Sequence, residues 1–294
     1  MALLPSTFLH CVLAIGSKDP SGQPAFLATG FVYGHPAGKT PSGQGRYQSF
    51  VVSNRHVFEG IRASTVVLRC NPSNQGGAID IEYPIAGPKA EPLWTAHPDP
   101  DVDVAVLSIH GVARLRDKGA EVWQFKSDAD ALRVDGLKQQ GVFEGDFVHV
   151  LGFPLGEVGR RRKNVVVRHG CIARIQDLLD GESPFYLLDA AVVYGNSGGP
   201  VILRPEVTAI CGTQPHHNAL LIGVVSGFLP YPEQVRQPHG EETGLVAPQH
   251  SGLSIVWPVD AIDQVVEEHR KTKFCKTWEQ MGREVMENRG QPRP

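Results

Sequence analysis

The feature that most constrains the fold of this chain is a glycine-rich run between two apolar segments. Residues 195–200 (GNSGGP) follow the apolar residues 190–193 and precede the apolar residues 201–203. The glycines of the run permit positive φ angles and keep Cβ atoms away from the hydroxyl of Ser197, so a substrate carbonyl can approach it. The amides of Gly195 and Ser197 can then converge on one oxygen, as an oxyanion hole requires. A simple tight turn between strands is the other interpretation of this run.

Most of the chain consists of short apolar segments separated by turns rich in glycine and proline. The strand-like segments are residues 8–16, 24–33, 47–53, 66–70, 79–85, 103–109, 146–152, 164–175, 185–193, 220–226 and 254–257. Residues 18–22 join the first two segments and have the composition of a hairpin turn. The pattern predicts an all-β protein of antiparallel strands, with a long proline-rich loop over residues 229–250.

The length of the chain, 294 residues, suits two modest domains or one large one. A charged segment over residues 114–140 interrupts the apolar pattern and indicates a linker. We therefore expect an N-terminal β-domain over residues 1–125, a linker over 126–140, a second β-domain over 141–258 and a helical C-terminal extension over 259–294. Apolar residues at helical spacing predict two helices in that extension, one with Ile262, Val265 and Val266 and one with Trp278, Met281, Val285 and Met286.

The charge and the cysteine content indicate which partners and which cellular compartment to expect. With 28 basic and 31 acidic residues the net charge is -3, so no overall field attracts nucleic acid or an anionic membrane. Residues 1–10 do not have the pattern of a signal peptide, and no stretch is long and apolar enough to span a membrane. The five widely spaced cysteines form no C-x-x-C motif and favour free thiols in a reducing compartment, which predicts a cytoplasmic protein.

Three residues from different parts of the chain have one common explanation. His56 lies at a strand-to-turn junction, Asp103 enters an apolar strand and Ser197 lies in the glycine-rich run. A serine nucleophile needs a neutral imidazole to take its proton and a buried carboxylate to orient that imidazole, and the chain order His, Asp, Ser is one known solution. Asp99 and Asp101 are rivals of Asp103, but only Asp103 leads directly into an apolar strand that would bury its carboxylate.

Residues 53–57 (SNRHV), 103–107 (DVAVL) and 195–200 (GNSGGP) together resemble the motifs of trypsin-like serine peptidases, in particular of the bacterial HtrA/Deg-type branch. The resemblance covers about residues 8–260 and implies two six-stranded antiparallel β-barrels with a catalytic triad in the cleft between them. It implies a serine endopeptidase that hydrolyses proteins or peptides through an acyl-enzyme and needs no cofactor. For the oxyanion hole it implies Gly195, Asn196 and Ser197.

The resemblance also implies a specificity pocket beside the serine. Its residues would be Ala191 as the floor and Val192, Val193, Tyr194, Ser226, Gly227, Phe228 and Ser254 as the walls. None of these side chains carries a charge, and Phe228 narrows a mouth that trypsins keep open with a glycine. Because an unpaired Lys or Arg is costly to bury, we expect cleavage after small or medium aliphatic residues. Glu233, Glu241 and Glu242, on the loop over 229–250, are the residues that would overturn this expectation by folding inward.

The chain departs from secreted trypsins in two ways. No cysteine lies near His56 to form the disulfide that trypsins have around their catalytic histidine, which agrees with a reducing compartment. Asn196 replaces the aspartate that captures a newly cut N-terminus in those enzymes. We therefore expect an enzyme that is competent as made, or one switched by the loops 155–163 and 229–250 through a regulatory protein partner. The chain also has too few residues after the last barrel strand for the PDZ domain of many HtrA-type proteins.

Other interpretations of individual motifs are weaker. The glycine-rich run also satisfies the G-x-S-x-G elbow of α/β hydrolases, but a helix must follow that serine and the apolar residues 201–203 follow here. Residues 34–40 are one residue short of a phosphate-binding loop, and the cations 160–163 are typical of a solvated loop. No metal-ligand spacing is found at the loop histidines His216, His217, His239 and His250. A catalytically silent scaffold of the same fold, which binds peptides or a partner protein, is the alternative function.

Overall fold

The computed structural model of the chain describes residues 4–39, 42–109, 111–236 and 242–274. Its strands are β1 (Val12–Lys18), β2 (Pro24–Lys39), β3 (Gly45–Ser53), β4 (Thr65–Pro72), β5 (Ile79–Pro84), β6 (Trp94–Ala96), β7 (Ala105–Ser108), β8 (Ala120–Glu121), β9 (Phe125–Lys126), β10 (Phe147–Gly152), β11 (Val166–Arg174), β12 (Tyr186–Asp189), β13 (Pro200–Leu203), β14 (Leu220–Arg236) and β15 (Glu242–Pro258). Its helices are α1 (Ser6–Cys11), α2 (Arg55–Gly60), α3 (Val112–Asp117), α4 (Val134–Gln139), α5 (Gln176–Asp180) and α6 (Val259–His269), with a 3₁₀ turn at Pro154–Gly156 and a π-helical turn at Arg270–Phe274. The second helix predicted for the C-terminal extension falls outside the described residues.

The N-terminal half of the chain forms one sheet. Its strand order is β5-β4-β1-β2-β3-β7-β6, with β8 paired to β4 and β9 paired to β2. The two ends of this sheet meet, because Ala86 and Pro92 form an isolated bridge and the Leu93 amide donates to the Ile85 carbonyl at 2.9 Å. The strand count exceeds the expected six because β6, β8 and β9, which have only two or three residues each, also pair with the sheet.

The C-terminal half forms a closed barrel of six antiparallel strands in the order β10-β11-β12-β15-β14-β13. Side chains of β10 show how it is filled: Val148 and Val150 lie in the barrel interior, whereas Leu151 packs in the cluster between the two halves. Successive side chains of a strand point to opposite faces, so one short strand serves both cores. The predicted all-β architecture is confirmed.

The prediction of a long loop over residues 229–250 is wrong for most of that range. Strands β14 and β15 continue beyond the barrel as a paired hairpin that reaches Arg236 opposite Glu242. Its prolines are tolerated because a two-stranded ribbon has an unpaired outer edge on each strand, where a missing amide proton costs no ladder bond. The register shifts between Phe228 and Pro230 and again between Gln234 and Arg236.

Apolar side chains form a cluster within each half and a third cluster between the halves, which we call the seam cluster. The seam cluster includes Phe31, Phe50 and Val104 from the N-terminal half, Leu151, Ile202 and Trp257 from the barrel, and Ile262, Val265 and Val266 from α6. The three α6 residues are fully buried on one face, as their spacing predicts. Burial of this apolar surface holds the two halves together with the helix between them.

Polar bonds also tie α6 and the linker segment to both halves. Asp263 accepts a hydrogen bond from Tyr33 at 2.7 Å and another from the Arg133 guanidinium at 2.7 Å. The amide of Val134, which begins α4, donates to Asp260 at 2.9 Å, and Leu137 of α4 is fully buried against the barrel core. Residues 126–140 therefore pack on the structure along part of their length, and the domain boundaries stay a prediction.

Candidate active site

His56 lies at the start of α2, directly after β3. Its backbone amide donates to Asp103 Oδ1 at 3.0 Å, and its Nδ1 lies 2.6 Å from Asp103 Oδ2. The neighbouring Asn54 is fully buried and donates from its side chain to the Asp103 carbonyl at 2.7 Å. The turn that carries His56 is therefore fixed to the segment that carries Asp103 by three separate hydrogen bonds.

Asp103 precedes β7, which pairs with β3 so that Ala105 lies opposite Ser53. The hydroxyl of Ser226 donates to Asp103 Oδ2 at 2.6 Å. Burial by itself raises the pKa of Asp103, but the hydrogen bonds from His56 and Ser226 outweigh it and hold the pKa below its ordinary value. The carboxylate is thus ionised at neutral pH and faces the imidazole.

The rival aspartates lie in the turn before Asp103. The Asp99 carboxylate accepts the Asp101 amide at 2.9 Å and so stabilises that turn. Arg55 holds the same turn from the α2 side, because its guanidinium donates to the carbonyls of His97 and Pro100. Within the described residues, no hydrogen bond joins either rival carboxylate to His56.

Ser197 lies within the glycine-rich run and is partly buried. Its hydroxyl donates to the Ser226 carbonyl at 3.1 Å, and among the described residues no hydrogen bond links it to His56. Ser226 therefore contacts both Asp103, through its hydroxyl, and Ser197, through its carbonyl. We expected Ser226 only as a wall of the specificity pocket, and nothing in the sequence indicates that it also lies between Asp103 and Ser197.

Two backbone amides beside the serine have no acceptor in the described part of the chain, those of Gly195 and Ser197. The Asn196 amide is different, because it donates to the Val193 carbonyl at 3.0 Å. The place of Asn196 in the oxyanion hole stays a prediction; in this structure its amide is paired and its side chain is buried, with 1% of its surface exposed. Gly195 has a φ of 92°, which a residue with a side chain rarely adopts.

A cavity of about 280 Å³ opens beside His56 and Ser197. It takes one wall from the predicted pocket and a second wall, which sequence analysis missed, from β1, β2, α2 and the residue that follows α2. The residues of the first wall are Val192, Val193, Tyr194, Gly195 and Phe228. The residues of the second wall are Ile15, Leu27, Ala28, Val57, Gly60 and Ile61. Their distance from Ser197 along the chain hid them, although Val57, Gly60 and Ile61 follow closely on His56.

Four residues of the predicted pocket do not line this cavity: Ala191, Ser226, Gly227 and Ser254. Ala191 is exposed, so it does not form a buried floor. The hydroxyl of Ser254 is fully buried and donates to the Ala190 carbonyl at 2.9 Å. Phe228 stacks on the ring of His250, with 4.3 Å between the ring centroids. The geometry of the cavity is therefore set by both halves of the chain and not by the barrel alone.

Two further observations concern ligands and membranes. Across the described ranges, no three His, Cys, Asp or Glu side chains come together as the ligands of a metal ion would. Of the helices that the structure describes, none has the length and apolar character required to cross a membrane.

Comparison with known proteins gives a family but no curated relative. The chain has 18% identity with an inactive form of a mutant of Rv3671c from M. tuberculosis H37Rv, over 90% of this chain and 89% of that chain, with a TM-score of 0.43. It has 14% identity with human heparin binding protein, over 90% of this chain and 95% of that chain, with a TM-score of 0.49. The search of curated proteins finds no match. A profile of the trypsin-like peptidase domain matches residues 28–207, and the chain therefore belongs to the family of trypsin-like peptidase domains.

Proposed function

We propose that the chain is a serine endopeptidase in which Ser197 is the nucleophile, His56 the general base and acid, and Asp103 the residue that orients His56. The observation that carries this proposal is the double contact of Asp103 with His56, through the backbone amide and Nδ1. A carboxylate on Nδ1 leaves Nε2 as the nitrogen that faces substrate and stabilises the imidazolium that forms during attack. The unpaired amides of Gly195 and Ser197 support the same reaction, because they suit a developing oxyanion.

The reaction begins when the Ser197 hydroxyl leaves the Ser226 carbonyl and turns to Nε2 of His56. The net value of such a neutral hydrogen bond is about 1 kcal/mol, so the rearrangement adds little to the barrier. Oγ then bonds to the scissile carbon while Nε2 takes the hydroxyl proton. As the C–N bond breaks, the imidazolium returns this proton to the leaving amine, and water hydrolyses the acyl-enzyme by the same steps. The substrate is a protein or peptide.

We further propose a preference for small or medium apolar residues on the acyl side of the cut. The cavity beside Ser197 is lined mainly by aliphatic and aromatic side chains, and no carboxylate and no Lys or Arg side chain lines it. A buried Lys or Arg would find no carboxylate there and would lose solvation worth several kcal/mol. The volume of about 280 Å³ lies just below the range of ligand pockets, which is roughly 300–1,000 Å³. An aliphatic side chain fits this volume and meets apolar walls on both sides.

The free thiols support a reducing compartment, which we propose to be the cytoplasm. Cys11, Cys70, Cys171 and Cys211 form no disulfide in the described part of the chain. Burial raises the pKa of Cys70 to about 12 and that of Cys11 further still, so both thiols stay protonated and unreactive at neutral pH. On its motifs we also propose the HtrA/Deg-type branch for this chain, and with it a regulatory protein partner.

One observation favours a second candidate function, the catalytically silent scaffold that binds peptides or a partner protein. The hydroxyl of Ser197 is bonded to Ser226 and not to His56. A fluorophosphonate probe separates the two functions, because only an activated serine reacts with it. We expect stoichiometric labelling of the wild-type chain at Ser197, none in Ser197→Ala, and normal labelling in Ser251→Ala, which removes an exposed serine. An unlabelled wild-type chain that still binds peptides would establish the scaffold instead.

A further inference from the structure

Thr29 of β2 is fully buried where the N-terminal half meets the glycine-rich run. Its hydroxyl donates to the Gly195 carbonyl at 2.6 Å and accepts the Phe153 amide at 3.0 Å. Its backbone amide donates to the Ser197 carbonyl at 3.0 Å. One residue of the N-terminal half thus contacts three backbone positions of the C-terminal half, two of them in the run that carries the serine.

The direction of the Gly195 amide depends on restraints from outside the run. Glycine has no side chain to limit its backbone, so the φ of 92° at Gly195 must be maintained by its neighbours. The peptide unit is planar, with its N–H opposite its C=O, so fixing one carbonyl fixes the direction of the next amide. The Tyr194 carbonyl accepts the Leu155 amide at 2.6 Å, and the Gly195 carbonyl accepts the Thr29 hydroxyl. The peptide plane before the Gly195 α-carbon and the one after it are each held by one of these hydrogen bonds.

Thr29 also supports the second of these restraints. Phe153, whose amide Thr29 accepts, leads directly into the turn Pro154–Gly156 that supplies the Leu155 amide. Leu155 is 73% exposed and has a φ of 57°, a left-handed conformation that leucine rarely adopts. Few side-chain contacts therefore hold that residue, and its hydrogen bond to Tyr194 depends on where the turn begins. A single hydroxyl fixes one plane directly and the other through Phe153.

We propose that Thr29 is the positioning residue of the oxyanion hole, acting across the boundary between the two halves to aim the Gly195 amide at the substrate carbonyl. This role rests on the proposed peptidase function for its catalytic consequence, but the restraint itself exists in the free protein. Thr29 does not touch substrate. Its hydroxyl donates its only proton to Gly195 and accepts the Phe153 amide, so it acts through these two residues.

The test replaces the hydroxyl while keeping the shape of the side chain. Thr29→Val leaves the Gly195 carbonyl and the Phe153 amide without their partner, whereas Thr29→Ser retains both bonds. Because losing an oxyanion donor costs about 10²–10³ in kcat, we expect a loosened one to cost roughly 10- to 100-fold in kcat with KM unchanged. Ser49→Ala is the matched control, since it removes a buried hydroxyl, bonded to Gln124 at 2.6 Å, elsewhere in the same sheet. It should lower the melting temperature and preserve kcat.

Hydrogen exchange of the Leu155 and Asn196 amides reads the same restraint without catalysis. Both amides should exchange at least tenfold faster in Thr29→Val than in the wild type. In Thr29→Ser and Ser49→Ala they should exchange at the wild-type rate. If Thr29→Val changes neither kcat nor the exchange rates, the proposal is overturned. It is also overturned if Thr29→Ser, which keeps the hydroxyl, loses as much kcat as Thr29→Val. A wild-type chain without peptidase activity but with faster exchange in Thr29→Val would refute the proposed function and retain the positioning role. An inactive wild type with unchanged exchange would refute both.

Discussion

Lys163 is the residue through which the loop after the Pro154–Gly156 turn attaches to the N-terminal half. Only 3% of its surface is exposed, and its ammonium group donates to the Leu9 carbonyl at 3.0 Å and to the Val12 carbonyl. Its backbone exchanges two further hydrogen bonds with the side chain of Asn71, at 2.8 and 2.9 Å. We predict that this buried ammonium makes the stability of the protein rise with pH.

The sign follows from the pKa of Lys163, which burial lowers from 10.5 to about 8. Between these two values the unfolded chain binds a proton that the folded chain does not, so the free energy of unfolding increases as the pH rises. At about 1.4 kcal/mol per pKa unit, the difference of 10.5 minus about 8 corresponds to roughly 3 kcal/mol over the full window. In the folded chain burial raises the pKa of the neighbouring thiols Cys11 and Cys70, so they stay protonated across this window, and in the unfolded chain they titrate with or without Lys163.

The measurement is urea unfolding at pH 7, 8, 9 and 10 for the wild type and Lys163→Met. Because other groups titrate alike in both proteins, the difference in their free energies of unfolding isolates Lys163. We expect the wild type to gain about 2 to 3 kcal/mol relative to Lys163→Met between pH 7 and 10. Lys118→Met, which removes an exposed lysine, controls for the loss of one charge. A difference between wild type and Lys163→Met that does not change with pH would refute the reasoning.

Three further predictions concern the active site. Ser197→Ala and His56→Ala should each lower kcat by several orders of magnitude with an unchanged melting temperature, and Asp103→Asn by about 10⁴; near-wild-type turnover in His56→Ala would disprove the triad. Ser226→Ala removes a hydrogen bond that lowers the pKa of Asp103, so that pKa should rise, and the carboxyl resonance in an NMR pH titration should report it. A peptide-library digest, with Ser197→Ala as the blank, should show Ala, Val and Leu before the cut, whereas dominant Arg or Lys would contradict the apolar cavity.

The residues proposed for catalysis could be identified from the sequence because each stands in a characteristic local sequence pattern. His56 and Asp103 stand beside apolar strands, and Ser197 stands in a run whose glycines leave few alternatives. The structure brings the first two into direct contact, at 2.6 Å, although they are far apart in the chain. Strand pairing explains this, because β3 and β7 are antiparallel neighbours. The segment after the end of β3 therefore lies beside the segment before the start of β7.

The features that sequence analysis missed all depend on contacts between distant segments. Lys163 was expected in a solvated loop with three other cations, but it is buried, and only the position of that loop against the N-terminal half decides this. Ser226 looked like a pocket wall and instead contacts Asp103 and Ser197. Thr29 gave no signal, because a threonine inside a strand is ordinary unless the partner of its hydroxyl is known. Local propensity describes elements, whereas these roles depend on how elements meet.

The placement of α6 has a consequence for how the chain is made. Residues 259–269 supply Ile262, Val265 and Val266 to the seam cluster, which also contains Phe31 and Phe50 of the N-terminal half. The N-terminal half therefore emerges from the ribosome with an apolar surface that is not completely covered until those residues have also emerged. A nascent chain that stops before Val259 contains His56, Asp103 and Ser197 but cannot complete the contact between the halves. The proposed active site, which takes residues from both halves, would then be assembled only after residues 259–269 have been made.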